Sequence, residues 1–250
     1  MGTSQSSNGS PPGVPMVPPW TPPPPPQDDP APPPAGEDGS PPNDDLNAQA
    51  SPESPAGPPK ATPPPIAPAG RFNAARSSVG NFAHSGDKSA LRRGLGHYVR
   101  KGYGGAKTAA ARMGGTSATA AGLYNALAPG NASATTIAGE VFDRTVLVGR
   151  TAKEVISAVI EAVRPIEGTQ DVEAARASLR DALSEVLVIY PDADLLDLTA
   201  EQRELAVELY VAEDVYRRFD LDLGKHIRSK APSATSASSR IKQARDYIKE

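Results

Sequence analysis

Residues 71–115 read RFNAARSSVGNFAHSGDKSALRRGLGHYVRKGYGGAKTAAARMGG, and the spacing of their apolar side chains sets the fold class. Phe72, Ala75, Val79 and Phe82 recur at intervals of three and four residues, which places them on one helix face; Leu91, Leu95 and Tyr98 do the same for a second helix. Gly86 and Gly102 follow these runs where a helix end favours a residue tolerant of left-handed backbone. An Ala-rich third helix is expected over Lys107–Met113 and a fourth over Ser117–Leu127, stopped ahead of Pro129-Gly130. Their small side chains offer little area of their own to bury, so both must pack closely against something larger.

Downstream the pattern is more conventional. Val155, Val159, Ile160 and Val163 share one face of a helix closed by Pro165, and Val172, Ala175, Leu179, Leu183, Val186 and Leu187 mark a longer helix ending at Tyr190-Pro191. Thr199 and Gln202 stand at capping-box spacing ahead of a further helix. Its apolar face is expected along Leu205, Leu209, Ala212, Tyr216 and Phe219, with Glu213–Arg217 and Asp214–Arg218 as i,i+4 pairs on the solvent side. A last helix, about Ser236–Glu250, carries Ile241, Ala244 and Ile248. TVLV at 145–148 and VIY at 188–190 are short, ambiguous runs, and no segment alternates cleanly with period two. The expected fold class is all-α.

Upstream the composition changes. Of 28 prolines, 24 precede residue 70, and large apolar side chains there are few. So little hydrophobic gain cannot offset a backbone ordering cost of about 1–2 kcal/mol per residue. Residues 1–69 are therefore expected to be a disordered tail with polyproline II character, above all at Pro22–Pro26. The expected organisation is this tail, a basic Gly/Ala-rich helical segment over 70–128, and an acidic helical bundle over 129–250.

Charge follows the same division. The 71–115 block carries nine basic residues against one acid, Asp87, whereas the chain as a whole has a net charge of −3. Segments of alternating sign suit docking onto partners. Clustered Lys and Arg interleaved with Tyr98 and Tyr103 suit phosphates and bases; an acidic protein, or the chain's own acidic segments, suits the same charges equally. Without cysteine there is no disulfide, thiolate nucleophile or Cys-based metal site, which agrees with a reducing cytoplasm. No apolar run reaches the roughly 18 residues of a membrane span, and no secretory signal pattern opens the chain.

No catalytic set emerges. Gly102-Tyr103-Gly104-Gly105-Ala106-Lys107-Thr108 invites a phosphate-loop reading, but Ala106 stands before the Lys and Lys101 occupies the position of the required first Gly. His84, His97 and His226 lack ligand spacing, and Asp192, Asp194 and Asp197 precede a helix, where acids offset its dipole. Neither a cofactor nor a metal is expected.

The N-terminus is more suggestive. Met1-Gly2-Thr3-Ser4-Gln5-Ser6 fits a myristoylation pattern, and the small second residue favours removal of Met1, leaving Gly2 as an unhindered α-amine. VPMVPPW at 14–20 sets Trp20 in a proline ladder, the composition of a linear docking motif.

The opening MGTS with VPMVPPW, the 71–115 block and LYNAL at 123–127 together resemble the QatB family, the B component of the four-gene Qat anti-phage cassette. The resemblance is closest over the N-terminal tip and residues 71–128, and looser over the helical remainder. It implies a bacterial cytoplasmic defence protein, non-enzymatic itself, that works beside a P-loop ATPase, a TatD-like nuclease and the QueC-like enzyme QatC. QueC-type enzymes activate a deazaguanine carboxylate with ATP and pass it to an amine; the resemblance implies that Gly2 supplies that amine. On this reading Thr3 and Ser4 thread the leader, Val17 and Trp20 anchor the tail, and Arg92, Arg93, His97, Tyr98, Arg100, Lys101 and Tyr103 contact the partner. The alternative is a nucleic-acid sensor or adaptor using residues 71–115.

Overall fold

A computed structural model describes residues 13, 15–17, 21–22, 66–129, 133–135 and 141–250. The described residues up to 22 and those from 66 onward belong to one compact unit. Its helices follow the apolar periods. α1 (Asn73–Ser85) ends at Gly86, whose φ of 79° turns the chain while its N–H donates to the Phe82 carbonyl at 2.7 Å. Asp87 then caps α2 (Lys88–His97), its Oδ1 accepting from the Ser89 N–H at 2.8 Å. α2 runs straight into a π-helical turn, Tyr98–Gly102. α3 (Ala106–Arg112) and α4 (Gly114–Ala126) complete the basic block.

Two short strands follow, β1 (Ser133–Thr135) and β2 (Val141–Asp143), paired antiparallel with Ala134 opposite Phe142. They are a small departure from an otherwise all-α fold. TVLV falls mainly in a 3₁₀ turn, Arg144–Leu147. The buried Arg144 guanidinium donates to the carbonyls of Ala128 and Leu196, fixing this turn between the end of α4 and the loop before α7. α5 (Ala152–Val163) starts at a capping box of Thr151 and Glu154. α6 (Gln170–Ile189) absorbs Val188 and Ile189 into its last turn, with Tyr190 as its C-cap. α7 (Ala200–Phe219) opens with the anticipated Thr199–Gln202 box. It passes through a second π turn, Asp220–Gly224, into α8 (Lys225–Lys230), a helix the periodicity did not separate. α9 (Ala234–Lys249) closes the chain.

The apolar core has two centres, and both cross the boundary expected at residue 128. One gathers Leu123 and Leu127 from the end of α4, Val159 and Ile160 of α5, Leu179 and Leu183 of α6, and Ala206 and Tyr210 of α7. The other joins Phe72, Val79 and Phe82 of α1 and Leu91 of α2 to Phe219, Leu223, Ile227 and Ala244. α7, at 20 residues roughly 30 Å long, serves both centres.

The expected face of α7 is therefore corrected. Ala206, Tyr210, Glu213, Asp214 and Phe219 are its buried positions, and neither acid lies on the solvent side. Both carboxylates are tolerated inside because each meets a cation. Glu213 accepts from Arg245 at 2.5 Å and from Lys249 at 3.1 Å, both on α9. Asp214 accepts from Arg218 Nε at 3.1 Å and from Thr116 Oγ1 of α4 at 2.6 Å. Arg217 turns away from Glu213 to pair with Asp181 of α6 at 2.5 Å.

Candidate functional site

The densest polar feature of the second core centre lies where the two π turns meet. A π turn places residues five apart on one side, and the Tyr103 N–H donates to the Tyr98 carbonyl at 3.1 Å in that pattern. Both phenols reach Asp222 in the other π turn, donating to its Oδ2 at 2.8 Å from Tyr98 and 2.9 Å from Tyr103. The rings pack edge to face with centroids 5.0 Å apart, and Phe72 stacks on Tyr98 at 5.6 Å. Arg71 lies over the Phe72 ring at 4.8 Å and Arg112 over the Tyr103 ring at 5.8 Å.

Burial dominates the electrostatics. It pushes the Tyr103 phenol up to about 12 and the Tyr98 phenol well above its ordinary value, so both remain donors at neutral pH. Burial also raises the Asp222 carboxyl, opposed by the two phenol hydrogen bonds and by the charges of Arg112 and Arg71. An acid raised in the folded state holds its proton more tightly there than in the unfolded chain. Its contribution to stability is thus fullest below the ordinary carboxylate pKa and declines as pH rises through the raised value. Asp222→Asn, which keeps an acceptor, should abolish that decline in denaturant titrations between pH 4 and 7. Asp222→Leu should cost more, about 1–3 kcal/mol, because the two hydroxyls, 3.1 Å apart, can then satisfy only one of their two donors by bonding each other. Identical pH profiles for wild type and Asp222→Asn would show that Asp222 does not titrate inside the cluster.

The tail residues sit against this cluster. Pro15 forms an antiparallel bridge with Ile66, and the Gly13 N–H donates to the Ala67 carbonyl at 3.1 Å. The Met16 side chain is 3% exposed, and Arg112 donates to its carbonyl at 3.4 Å. Gly104, at φ 75°, lets the loop after Tyr103 turn under Met16; a Cβ there would lie 3.3 Å from the methionine sulfur. The glycine turn considered as a phosphate loop is thus covered by a thioether. Further on, Pro22 crosses Gly114 so closely that any side chain at 114 would collide with its carbonyl oxygen.

The site residues expected from the sequence divide accordingly. Tyr98 and Tyr103 are corrected: they are core residues, 3% and 4% exposed, and offer no ring face to a base or a partner because Phe72, Phe219 and each other cover them. Arg92, Arg93, Arg100 and Lys101 are exposed and His97 is half-buried. Arg93 stands 3.7 Å from Asp87 and donates to Ser89 Oγ at 3.1 Å. Val17 is half-buried beside Met16. Gly2, Thr3, Ser4 and Trp20 lie outside the described residues. The important residues that sequence reasoning missed are Met16, Asp222 and Gly114. Arg71 and Arg112 stand out in the sequence only as two of the nine basic residues of the 71–115 block. Met16 stood in the VPMVPPW motif but was overshadowed by Trp20, and nothing in the spacing around Asp222 marked it.

The whole is a helical protein that holds a proline-rich segment of its own tail against a buried Tyr–Asp–Arg cluster. The family model of QatB, the Qat anti-phage system associated protein, matches residues 104–250, and the chain belongs to that family. It is accordingly a component of an anti-phage defence system. The match takes in the helical remainder where the resemblance was loose, and begins inside the basic block. No curated protein and no solved structure matches the chain. Among the described residues no helix is long and apolar enough to cross a membrane, and no group of three or more His, Cys, Asp or Glu is placed to hold a metal ion.

Proposed function

We propose that the protein is a non-enzymatic presenting subunit: its helical body binds the QueC-like enzyme QatC and offers the Gly2 amine for modification. The observation that carries this reading is the seat of Met16, which ties the tail to the body close to its start. Counting back from Gly13 to Gly2, an extended chain spans at most about 40 Å. A partner docked beside the clamp therefore meets the amine at high effective concentration, on the millimolar order for a short tether. Exposed Arg92, Arg93, Arg100 and Lys101, with His97 at their edge, supply the docking face; Lys101 directly precedes the turn on which Met16 rests. Thr3 and Ser4 thread the leader, and Val17 with Trp20 extends the anchor.

The chemistry asks little of this chain. ATP converts the deazaguanine carboxylate to an acyl adenylate with loss of pyrophosphate. The Gly2 amine, with an ordinary pKa of about 8, attacks the acyl carbon in its neutral form; AMP leaves, an amide forms and the amine proton passes to a base. Gly2 has no side chain to obstruct the approach. The reaction belongs in the bacterial cytoplasm, with the cassette ATPase and the TatD-like nuclease as further partners. Co-expression with the QueC-like enzyme should add one deazaguanine-sized mass to the N-terminal peptide, and an uncleaved tag ahead of Gly2 should abolish it. An unmodified N-terminus, despite ATP and a deazapurine supply, would remove the acceptor role.

The exposure of the same four cations favours a second reading, a nucleic-acid sensor. Duplex binding would then weaken with a log–log salt slope near −0.9 for each phosphate neutralised, and reversal of the four to Glu would flatten it. No shift of DNA or RNA at low salt, with partner binding intact, would eliminate this reading.

A further inference from the structure

We infer a second site, independent of the tail clamp: the groove between α1 and α8 is a binding site for the phosphoryl chain of a nucleotide. Arg76, Ser77, Gly80, Asn81 and His84 line it from one stripe of α1, and His226 and Lys230, one turn apart, line it from α8. Its volume of about 580 Å³ falls within the range of small-ligand sites, roughly 300–1,000 Å³.

The charge pattern carries the argument. Among the described residues, most cations of the C-terminal half have an acid at hand: Arg150 with Glu154, Arg176 with Glu161, Arg228 with Asp220, Lys242 with Asp246 and Lys249 with Glu185. Among the described residues the groove is lined by an arginine, a lysine and two imidazoles but no carboxylate. The nearby acid Asp87 is already engaged by Ser89 and Arg93. Like charges gathered in a concave, part-buried site raise the local potential for an anion. Gly80 forms part of the floor: a Cβ there would lie 3.0 Å from His226 Nε2, so the missing side chain lets the imidazole lie against α1.

The lining also selects the kind of anion. An arginine fork and a lysine offer more charge than one carboxylate needs, and they match phosphoryl oxygens. Among the described residues no Phe, Tyr, Trp or large aliphatic side chain lines the groove, and its two imidazoles stand beside the cations, so the ligand is held chiefly by its phosphates. His226 is kept below its ordinary pKa, first by burial and then by the charges of Lys230 and Arg76, against a hydrogen bond to the Arg76 backbone. A bound anion reverses that balance. Affinity should therefore rise as pH falls, with Arg76 and His84 facing the ligand from α1 and His226 and Lys230 from α8.

The test is titration calorimetry of the full chain with pyrophosphate, ATP, GTP and a ten-nucleotide single strand at low salt. Pyrophosphate, ATP and GTP should bind, the two nucleotides within about threefold of each other, and severalfold more tightly at pH 6 than at pH 8. Arg76→Glu with Lys230→Glu should weaken binding at least tenfold. Lys230→Glu alone, at an exposed position, should weaken it severalfold in a variant whose melting temperature is unchanged. Tighter binding of the strand than of ATP, lost in the same variants, would assign the phosphates to a polynucleotide. Failure of pyrophosphate and of all three nucleotide ligands to bind would overturn the inference. So would undiminished binding by the variants, or preference for an acidic peptide of residues 36–46 over pyrophosphate.

Discussion

Replacing Arg218 by methionine should destabilise the body by about 3–5 kcal/mol, the usual consequence of removing one partner from a buried ion pair. Asp214 is fully buried; among the described residues its Oδ2 accepts only from Arg218 at 3.1 Å and Thr116 at 2.6 Å, and its Oδ1 has no partner. Without the guanidinium, a carboxylate inside α7 keeps one neutral donor. Burial opposes the arginine's charge, but Asp214 and Asp171 raise its pKa, so it stays ionised at every accessible pH. Adding Asp214→Leu should recover most of the loss, because an apolar pair of similar volume in place of a buried ion pair is often neutral. The exposed Arg93–Asp87 pair supplies the contrast: Arg93→Ala should change stability by less than about 1 kcal/mol. In thermal unfolding a loss of 3–5 kcal/mol appears as a drop of roughly 10 °C for a body of this size. A change below about 1 kcal/mol for Arg218→Met would mean that Asp214 is not charged or not dry.

The second large effect concerns the tail. Gly114→Ala should improve the intrinsic helicity of α4 by up to about 1 kcal/mol and yet expel the tail segment, because the new methyl group would occupy the space of the Pro22 carbonyl. Met16→Asp should do the same from the other end. Burying a methionine side chain is worth about 1.5–3 kcal/mol, so its loss shifts the docking equilibrium by roughly tenfold to a hundredfold. Limited proteolysis followed by mass spectrometry should show cleavage within residues 13–22 at least ten times faster in either variant, with the helical body intact. The presenting role adds that both variants should acylate Gly2 more slowly, because the amine loses its anchored reach. Unchanged cleavage kinetics in both would mean that the clamp does not hold the tail in solution.

Much of the architecture was legible because it rests on local rules. The stop at Gly86, the Thr199–Gln202 box and the apolar stripes of α1, α5 and α6 are written in residues a few positions apart. What escaped was long-range. Glu213 and Asp214 beside Arg217 and Arg218 have the spacing of surface pairs; only the positions of Arg245, Lys249 and Thr116, far away in the chain, turn both acids inward. Tyr98 and Tyr103 in a basic block have the composition of a stacking platform, yet Asp222, 119 residues beyond Tyr103, draws both phenols into the core. The Arg76–His84–His226–Lys230 groove was equally hidden, since its two histidines come from helices that meet only in the folded chain.

The π turn at Tyr98–Gly102 also constrains how the length of this segment can vary. Two side chains five positions apart in an ordinary α-helix point about 140° away from each other; the wider turn brings these phenols onto one acceptor. Deleting one residue between Tyr98 and Tyr103 while restoring the tighter pitch would leave the phenols four positions apart, about 40° from each other and still on one side of the helix. The π turn thus holds one residue more than an α-helix needs to bring both phenols to Asp222. Relatives one residue shorter here are expected to keep both tyrosines at a spacing of four in an unbroken α-helix, a correlation between segment length and helix type rather than residue identity.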